Sequence, residues 1–352
     1  MKKMLALLLA LVMVLSLAAC ASSQPAATDA AASTETAETT ETTETTEPAA
    51  EESAEAPAES GKTYTVGVCQ LVQHEALDAA TQGFVDALKE ELGDAVTVDV
   101  QNASGDSVNC GTIVNGFVSK GVDLIMANAT PALTAAVSAT ADIPILGTSI
   151  TAYGVALDID DFNGTVGGNV SGTSDLADLQ KQAQMILDWF PETKTVGLLF
   201  CSAEPNSRYQ IDEVRKALEA QGVTCEEFAF TDSNDVSSVT QKAADFSDVV
   251  YIPTDNTAAS NTEAIANVLI PAGVPAVCGE EGLCRGCGVA TLSISYYDLG
   301  VTTGKMAAKI LKGEADISTM PVEYTDATPK YNASVCEQLG ITPLDGYEAI
   351  EG

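Results

Sequence analysis

The stretch Asp248-Val249-Val250-Tyr251-Ile252-Pro253-Thr254-Asp255-Asn256-Thr257-Ala258-Ala259-Ser260-Asn261 decides how this chain folds. Four apolar, strand-favouring residues run into Pro253, which has no N–H to give to a sheet, so the strand ends near it. Thr254, Asp255 and Asn256 are side chains that open helices, and the Ala-rich segment behind them has helical character as far as Leu269. Strand, polar turn and helix form one unit of a doubly wound α/β sheet, and such sheets take ligands outside the carboxyl ends of their strands. The three polar residues fit a plain capping role as well as a ligand-facing one.

The unit recurs. Val122-Asp123-Leu124-Ile125-Met126-Ala127-Asn128-Ala129-Thr130-Pro131-Ala132 has the same layout, with Asp123 over Asp248 and Thr130-Pro131-Ala132 over Asp255-Asn256-Thr257. On either side, Lys62-Thr63-Tyr64-Thr65-Val66-Gly67-Val68-Cys69-Gln70 matches Lys194-Thr195-Val196-Gly197-Leu198-Leu199-Phe200-Cys201-Ser202. Asp142-Ile143-Pro144-Ile145-Leu146-Gly147 matches Gly273-Val274-Pro275-Ala276-Val277-Cys278-Gly279. Three correspondences in one order predict two similar Rossmann-like halves, at a period far too long for a solenoid. Two such halves imply a cleft, with Asp255 and Thr130 on opposite walls.

The amino terminus reads differently. Met1-Lys2-Lys3 is a positive n-region, residues 4–17 are an apolar h-region too short for a comfortable membrane span, and Leu17-Ala18-Ala19-Cys20 closes it. This has the form of a bacterial lipobox. The expectation is a signal peptide over residues 1–19 and a lipid on Cys20 that anchors the protein to the outer face of the cell membrane. Residues 21–61 are Ala, Thr, Glu, Ser and Pro with no aromatic or basic residue, so they cannot form a core and predict a disordered acidic tether. Even a neutral flexible chain of that length spans about 35 Å.

Of the formal charge of −34, −26 falls on residues 62–352. So acidic a body, with no basic patch or interleaved aromatic platform, excludes nucleic acid as a partner and is repelled by anionic membrane surfaces. Its strands are expected at 66–70, 95–100, 122–127, 143–146, 195–200, 224–230, 248–252, 276–278 and 289–294. Helices are expected between them, for example over 76–92, where Leu77, Ala80, Phe84 and Leu88 recur at helical spacing. Asn163 to Thr173, with four glycines, is expected to cross between the halves, and Trp189 to pack in a core.

Residues 62 to about 343 resemble the substrate-binding lipoproteins of ABC transporters, in the group associated with tryptophan and tyrosine. The resemblance is carried by Gln70-Leu71-Val72-Gln73-His74-Glu75-Ala76-Leu77-Asp78, Ala129-Thr130-Pro131-Ala132, Pro253-Thr254-Asp255-Asn256-Thr257 and Tyr296-Tyr297-Asp298-Leu299-Gly300. It implies a type I periplasmic-binding-protein fold, with one lobe over 62–172 plus about 292–322 and the other over 173–291 plus about 323–352. It also implies a hinge, a ligand cleft, an ABC permease as partner, and transport rather than catalysis.

An amino-acid ligand offers a carboxylate, an ammonium and a side chain. The carboxylate suits hydroxyls and free amides at a helix start, which points to Thr130 with Pro131 and Ala132, assisted by Ser149 and Thr151. The ammonium needs an acceptor, and Asp255 and Glu280 lie in ligand-side turns of the second lobe, with Asn206, Thr254 and Asn256 beside them. Gln73, His74 and Tyr153 are candidates for the side-chain pocket. Related sequences commonly carry Asp where this chain has Ser295, which weakens the inference to an amino acid if that Asp meets the ammonium.

After Cys20, eight cysteines remain, and Cys284-Arg285-Gly286-Cys287 is a single Cys-x-x-Cys with a single His in the chain. That is too few ligands for a zinc site, and the pair reads as a loop disulfide or as buried thiols. No cofactor or metal is expected. Two other functions remain open: a receptor presenting its ligand to a membrane sensor, and an α/β enzyme such as an amino-acid racemase. Against the enzyme stand the missing nucleophile elbow and phosphate loop.

Overall fold

The computed structural model describes residues 62–351, so the expected leader, the lipid on Cys20 and the tether lie outside the described residues. In the first lobe β1 (Tyr64–Gln70), β2 (Val96–Asn102), β3 (Leu124–Asn128), β4 (Ile145–Ile150) and β5 (Val170–Ser174) alternate with helices. These are α1 (Glu75–Leu92), α2 (Ser107–Lys120), α3 (Thr130–Ala139) and the one-turn α4 (Tyr153–Ala156). The strands pair in parallel in the order β2-β1-β3-β4-β5.

The second lobe repeats the plan. It holds α5 (Leu179–Trp189), β6 (Thr195–Cys201), α6 (Pro205–Glu219), β7 (Thr224–Phe230), α7 (Val236–Phe246) and β8 (Val249–Ile252). There follow α8 (Asn256–Ala259), α9 (Thr262–Ala272), β9 (Ala276–Cys278), α10 (Glu281–Cys287) and β10 (Ala290–Ser293). The chain then returns: α11 (Tyr296–Lys312) packs on α1, and β11 (Glu323–Tyr324) adds to the first sheet beside β5. Finally β12 (Thr328–Tyr331), α12 (Ala333–Leu339) and β13 (Glu348–Ala349) finish the second sheet, where β12 runs antiparallel to β10. The fold is two doubly wound α/β lobes, and the return crossings fall a few residues later than 292 and 322.

The duplication has a physical counterpart at the carboxylates that precede the third strand of each half. Asp123 Oδ2 accepts from the Thr65 amide at 2.7 Å, and the Asp123 amide donates to the Thr65 carbonyl. Asp248 Oδ2 accepts from the Lys194 and Thr195 amides at 2.9 and 2.8 Å, and its own amide donates to Thr195. Each ties the start of one strand to the start of its neighbour. The packing face then alternates along the strands as the pleat requires: in the fully buried β3, Leu124 and Met126 pack with α1 and α11, while Ile125 and Ala127 face Phe117 and Leu133.

Two expectations are corrected. Residues 170–174 are a strand, not part of a crossover. Only Val170 is a large apolar residue there, so hydrophobic patterning misses it. Its polar side chains are satisfied internally: Thr173 Oγ1 is 3.1 Å from Thr148 Oγ1 and 2.8 Å from Thr303 Oγ1, and Ser171 donates to the Met320 carbonyl. The helix expected to run from the Asp255 turn to Leu269 is two helices, broken at Ser260 and Asn261; the Asn261 amide side chain donates to the Thr257 carbonyl at 2.7 Å.

The returning helix α11 is held at unusually short range. A Cβ on Gly300 would overlap the Ala80 carbonyl of α1, one on Gly83 the Tyr297 carbonyl, and one on Gly304 would come within 2.7 Å of the Phe84 carbonyl. Backbone thus packs on backbone along this seam. Gly300→Ala is expected to cost about 1–3 kcal/mol of stability through overpacking. Gly116→Ala, in α2 with open space around it, should gain up to about 1 kcal/mol from helix propensity alone. Denaturant unfolding of the two variants measures the contrast.

Candidate functional site

The carboxyl ends of both parallel sheets meet at the cleft. From the first lobe come the segments after β1, β3 and β4; from the second come those after β6, β8 and β9. The lobes touch here: His74, the residue before α1, lies with Nε2 3.2 Å from Asn256 Oδ1 at the start of α8. Asn256 gives its amide N–H to Glu204 at 2.6 Å, so its oxygen faces the imidazole and His74 carries its proton on Nε2. Burial holds the His74 pKa below its usual value, which keeps the ring neutral and leaves Nδ1 as a bare acceptor.

The helix starts at the cleft are not treated alike. In the second lobe those of α8 and α10 are filled by carboxylates of its own, while α6 begins after Glu204 without a side-chain cap. Glu204 accepts from the Asn256 and Thr257 amides at 3.0 and 2.9 Å, Asp255 from Ala258 at 2.8 Å and Cys201 at 2.6 Å, and Glu280 from Gly282 at 2.7 Å and from Leu283. In the first lobe no side chain caps α3. Its cap position is Ala129 at φ 88, ψ 155, and across from it at the end of β4 Ser149 stands at φ 56. Backbone strain of this kind at non-glycine residues clusters where a structure grips something. An uncapped helix start carries free amides and partial positive charge, and it attracts an anion.

A buried polar atom without a partner marks what a ligand has to supply. Nine such side-chain atoms occur among the described residues, and five stand at the cleft ends of the lobes: His74 Nδ1, Asn128 Oδ1, Ser149 Oγ, Asp175 Oδ1 and Asn206 Oδ1. Four of the five are pure acceptors. Asp175 is the charged member. It follows β5 at the first crossing between lobes, only 4 % exposed, and its other oxygen accepts from the Tyr296 hydroxyl of α11 at 3.0 Å. Burial raises its pKa to about 6, although the Tyr296 hydroxyl opposes the shift. Burial likewise raises Glu280 to about 7, and burial with the neighbouring Glu204 pushes Asp255 upward.

The residues singled out in the sequence divide accordingly. Thr130, Ser149 and Thr151 are buried at the uncapped wall, and Pro131 lines a cavity of about 340 Å³ at the cleft mouth with Leu71, Val72, Ala203, Glu204 and Asn256. Ala132 is buried inside α3. Thr254 donates its hydroxyl to the Gly279 carbonyl, and the amide of Asn206 donates to the Thr254 carbonyl. Asp255 and Glu280 have their oxygens engaged by backbone amides within their own lobe. Tyr153 turns its ring into the first lobe's core and donates to the Gly147 and Thr173 carbonyls, which leaves no face for stacking a ligand. Gln73 is exposed, and Ser295 is an exposed cap of α11. Sequence reasoning passed over Asn128, Asp175 and Glu204. The available signal for Asp175 was an acidic residue closing the hydroxyl-rich run Ser171-Gly172-Thr173-Ser174. Among the described residues no three metal-ligating side chains converge, and every cysteine is an unpaired thiol.

Carboxyl pKa values raised by folding mean that the folded state binds more protons than the unfolded chain between about pH 4 and pH 7. Stability is therefore greatest near the unfolded carboxyl pKa and falls as pH rises through the folded values. The ligand-free protein is expected to melt at a lower temperature at pH 8 than at pH 5, and Asp175→Asn should flatten that slope. Calorimetric melting across the window checks both.

Comparison with known proteins agrees with this architecture. A family model described as ABC transporter substrate binding protein matches residues 65–346. A tyrosine-binding protein of Clostridioides difficile is 32 % identical over 276 residues, 77 % of this chain and 79 % of that protein. A structure from Streptococcus pneumoniae in complex with L-Trp shares 32 % identity, covers 82 % of this chain and all of the other, and superposes with a TM-score of 0.78. A ligand-free, open substrate-binding protein with adhesive properties from Clostridium difficile is 33 % identical, with coverage of 82 % and 99 %, yet reaches only 0.63. At nearly equal identity, this chain superposes better on the L-Trp-bound structure than on the open one. The chain belongs to the ABC transporter substrate-binding protein family.

Proposed function

We propose that this protein captures an α-amino acid with an aromatic or other apolar side chain between its lobes and delivers it to an ABC permease. Substrate-binding proteins of this family work outside the cytoplasm; the lipobox sequence supports a lipid on Cys20 as the anchor and residues 21–61 as the tether.

The observation that carries the ligand class is the asymmetry of the cleft. One wall offers an uncapped helix start with Thr130, Ser149 and Thr151, the environment a carboxylate seeks. Elsewhere stand orphan acceptors headed by Asp175, which an ammonium with three N–H groups satisfies. A ligand carrying only negative charge meets too many carboxylates here, and one without charge leaves Asp175 buried and unanswered. The mouth cavity, with Leu71, Val72 and Pro131 on one side and polar groups on the other, takes the side chain. The tyrosine- and tryptophan-binding relatives agree with an aromatic one. Asp175 replaces Asp255 and Glu280 as the ammonium acceptor, because it is the one with an oxygen free. In this reading the Ser295 departure does not weaken the amino-acid inference.

Asp175→Asn keeps the shape and removes the charge. It is expected to weaken L-tyrosine and L-tryptophan by about 2–5 kcal/mol, more than tenfold in affinity, measured by calorimetric titration. Wild-type affinity should be level above about pH 7 and decline as pH falls below about 6, since protonating Asp175 must be reversed before an ammonium binds. Mass spectrometry of the solute that accompanies the native protein identifies the ligand. Affinity unchanged in Asp175→Asn, or a native ligand without an ammonium, would overturn the assignment.

A further inference from the structure

The Cys284-Arg285-Gly286-Cys287 segment takes no part in the ligand site described above, yet it carries a cation to the seam between the lobes. In α10, Leu283, Cys284 and Cys287 are buried and fix the helix against the second lobe's core. A Cβ on Gly286 would overlap Thr262, so the segment sits tightly on α9. Arg285 is left on the open face. Its Nη2 bonds Glu281 one turn earlier at 2.8 Å, and Lys330 of β12 reaches the other Glu281 oxygen at 2.6 Å. Its Nη1 pairs with Glu75, the first residue of α1 in the opposite lobe. The guanidinium is thus braced within one lobe and extended to the other.

We infer that Arg285 is a positioning residue that sets ligand affinity without meeting the ligand, by pairing with Glu75 and thereby populating the closed arrangement of the lobes. The inference rests on the ligand-capture reading for its consequence, though not for its geometry.

Three features support it. The pair joins residues of different lobes, so opening the cleft separates it while the bonds inside the second lobe survive. Arg285 pairs with Glu75 of the first lobe and with Glu281 of the second, so the cation offsets the repulsion between two carboxylates that meet across the seam. Apparent affinity scales with the fraction of molecules that are closed, so a contact found only in the closed state strengthens binding by the population it adds. Glu75 and Arg285 are both partly exposed, so the effect is modest and sensitive to salt.

The test uses Arg285→Gln, Arg285→Glu, Glu75→Arg and the reversed pair Glu75→Arg/Arg285→Glu. Fluorophores on the exposed faces of α2 and α7 read the interlobe distance, and L-tyrosine and L-tryptophan serve as probes. Thermal unfolding of each variant confirms that the fold is kept. Arg285→Gln should weaken binding about two- to fivefold, mainly through faster dissociation. Arg285→Glu, which sets three carboxylates together, should weaken it further and open the ligand-free protein; the reversed pair should recover most of both losses. Raising salt from about 50 to about 500 mM should weaken the wild type and leave Arg285→Gln nearly unmoved. Single variants that match the wild type in affinity and interlobe distance, or a reversed pair no better than the worse single variant, overturn the proposal. A wild type that binds neither amino acid overturns the ligand reading instead. The distances in ligand-free wild type, Arg285→Glu and the reversed pair then still decide for or against the pairing.

Discussion

Buried carboxylates must find donors, and the cleft of this acidic protein is organised around that requirement. Glu204, Asp255 and Glu280 meet it by capping α8 and α10, so the second lobe turns three negative charges into fixed helix starts. Asp175 meets it only by half: Tyr296 answers one oxygen, and the other is left over. What distinguishes a structural carboxylate from a binding one here is the supply of donors, since burial and raised pKa are common to Asp175, Asp255 and Glu280.

The same bond ties the proposed site to the connection between the lobes. Asp175 lies at the first crossing and Tyr296 just past the second, so one hydrogen bond joins two strands of the connection between lobes. Thr173, two residues before Asp175, bonds Thr303 of the same returning helix. On the proposed reading, a ligand ammonium held by Asp175 sits beside these links between the lobes, while Glu75 and Arg285 meet away from them.

Much of the fold was legible because it is written twice. Asp123 and Asp248 have the same neighbours and do the same work, and Pro253 ends β8 where a residue without an N–H must. The site was harder to read. Asp255 has every sequence mark of a ligand contact, yet those marks are equally the marks of a cap, and only the positions of the Cys201 and Ala258 amides separate the two. Asp175 carried little signal because β5 was itself hidden: a strand buried among hydroxyls lacks the apolar run that betrays its neighbours. The strain at Ala129 is invisible in principle, since nothing about an alanine announces a positive φ.

Neither lobe is made from one continuous piece of chain. The first sheet lacks β11, and α1 lacks the helix that packs on Gly83, until the whole second sheet through β10 has been laid down. The consequence is one of timing. A chain emerging from the ribosome cannot complete its leading lobe early, and contacts between residues some two hundred positions apart close slowly. The gap in sequence between α1 and α11 thus sets a delay between synthesis of the first lobe's leading elements and its completion.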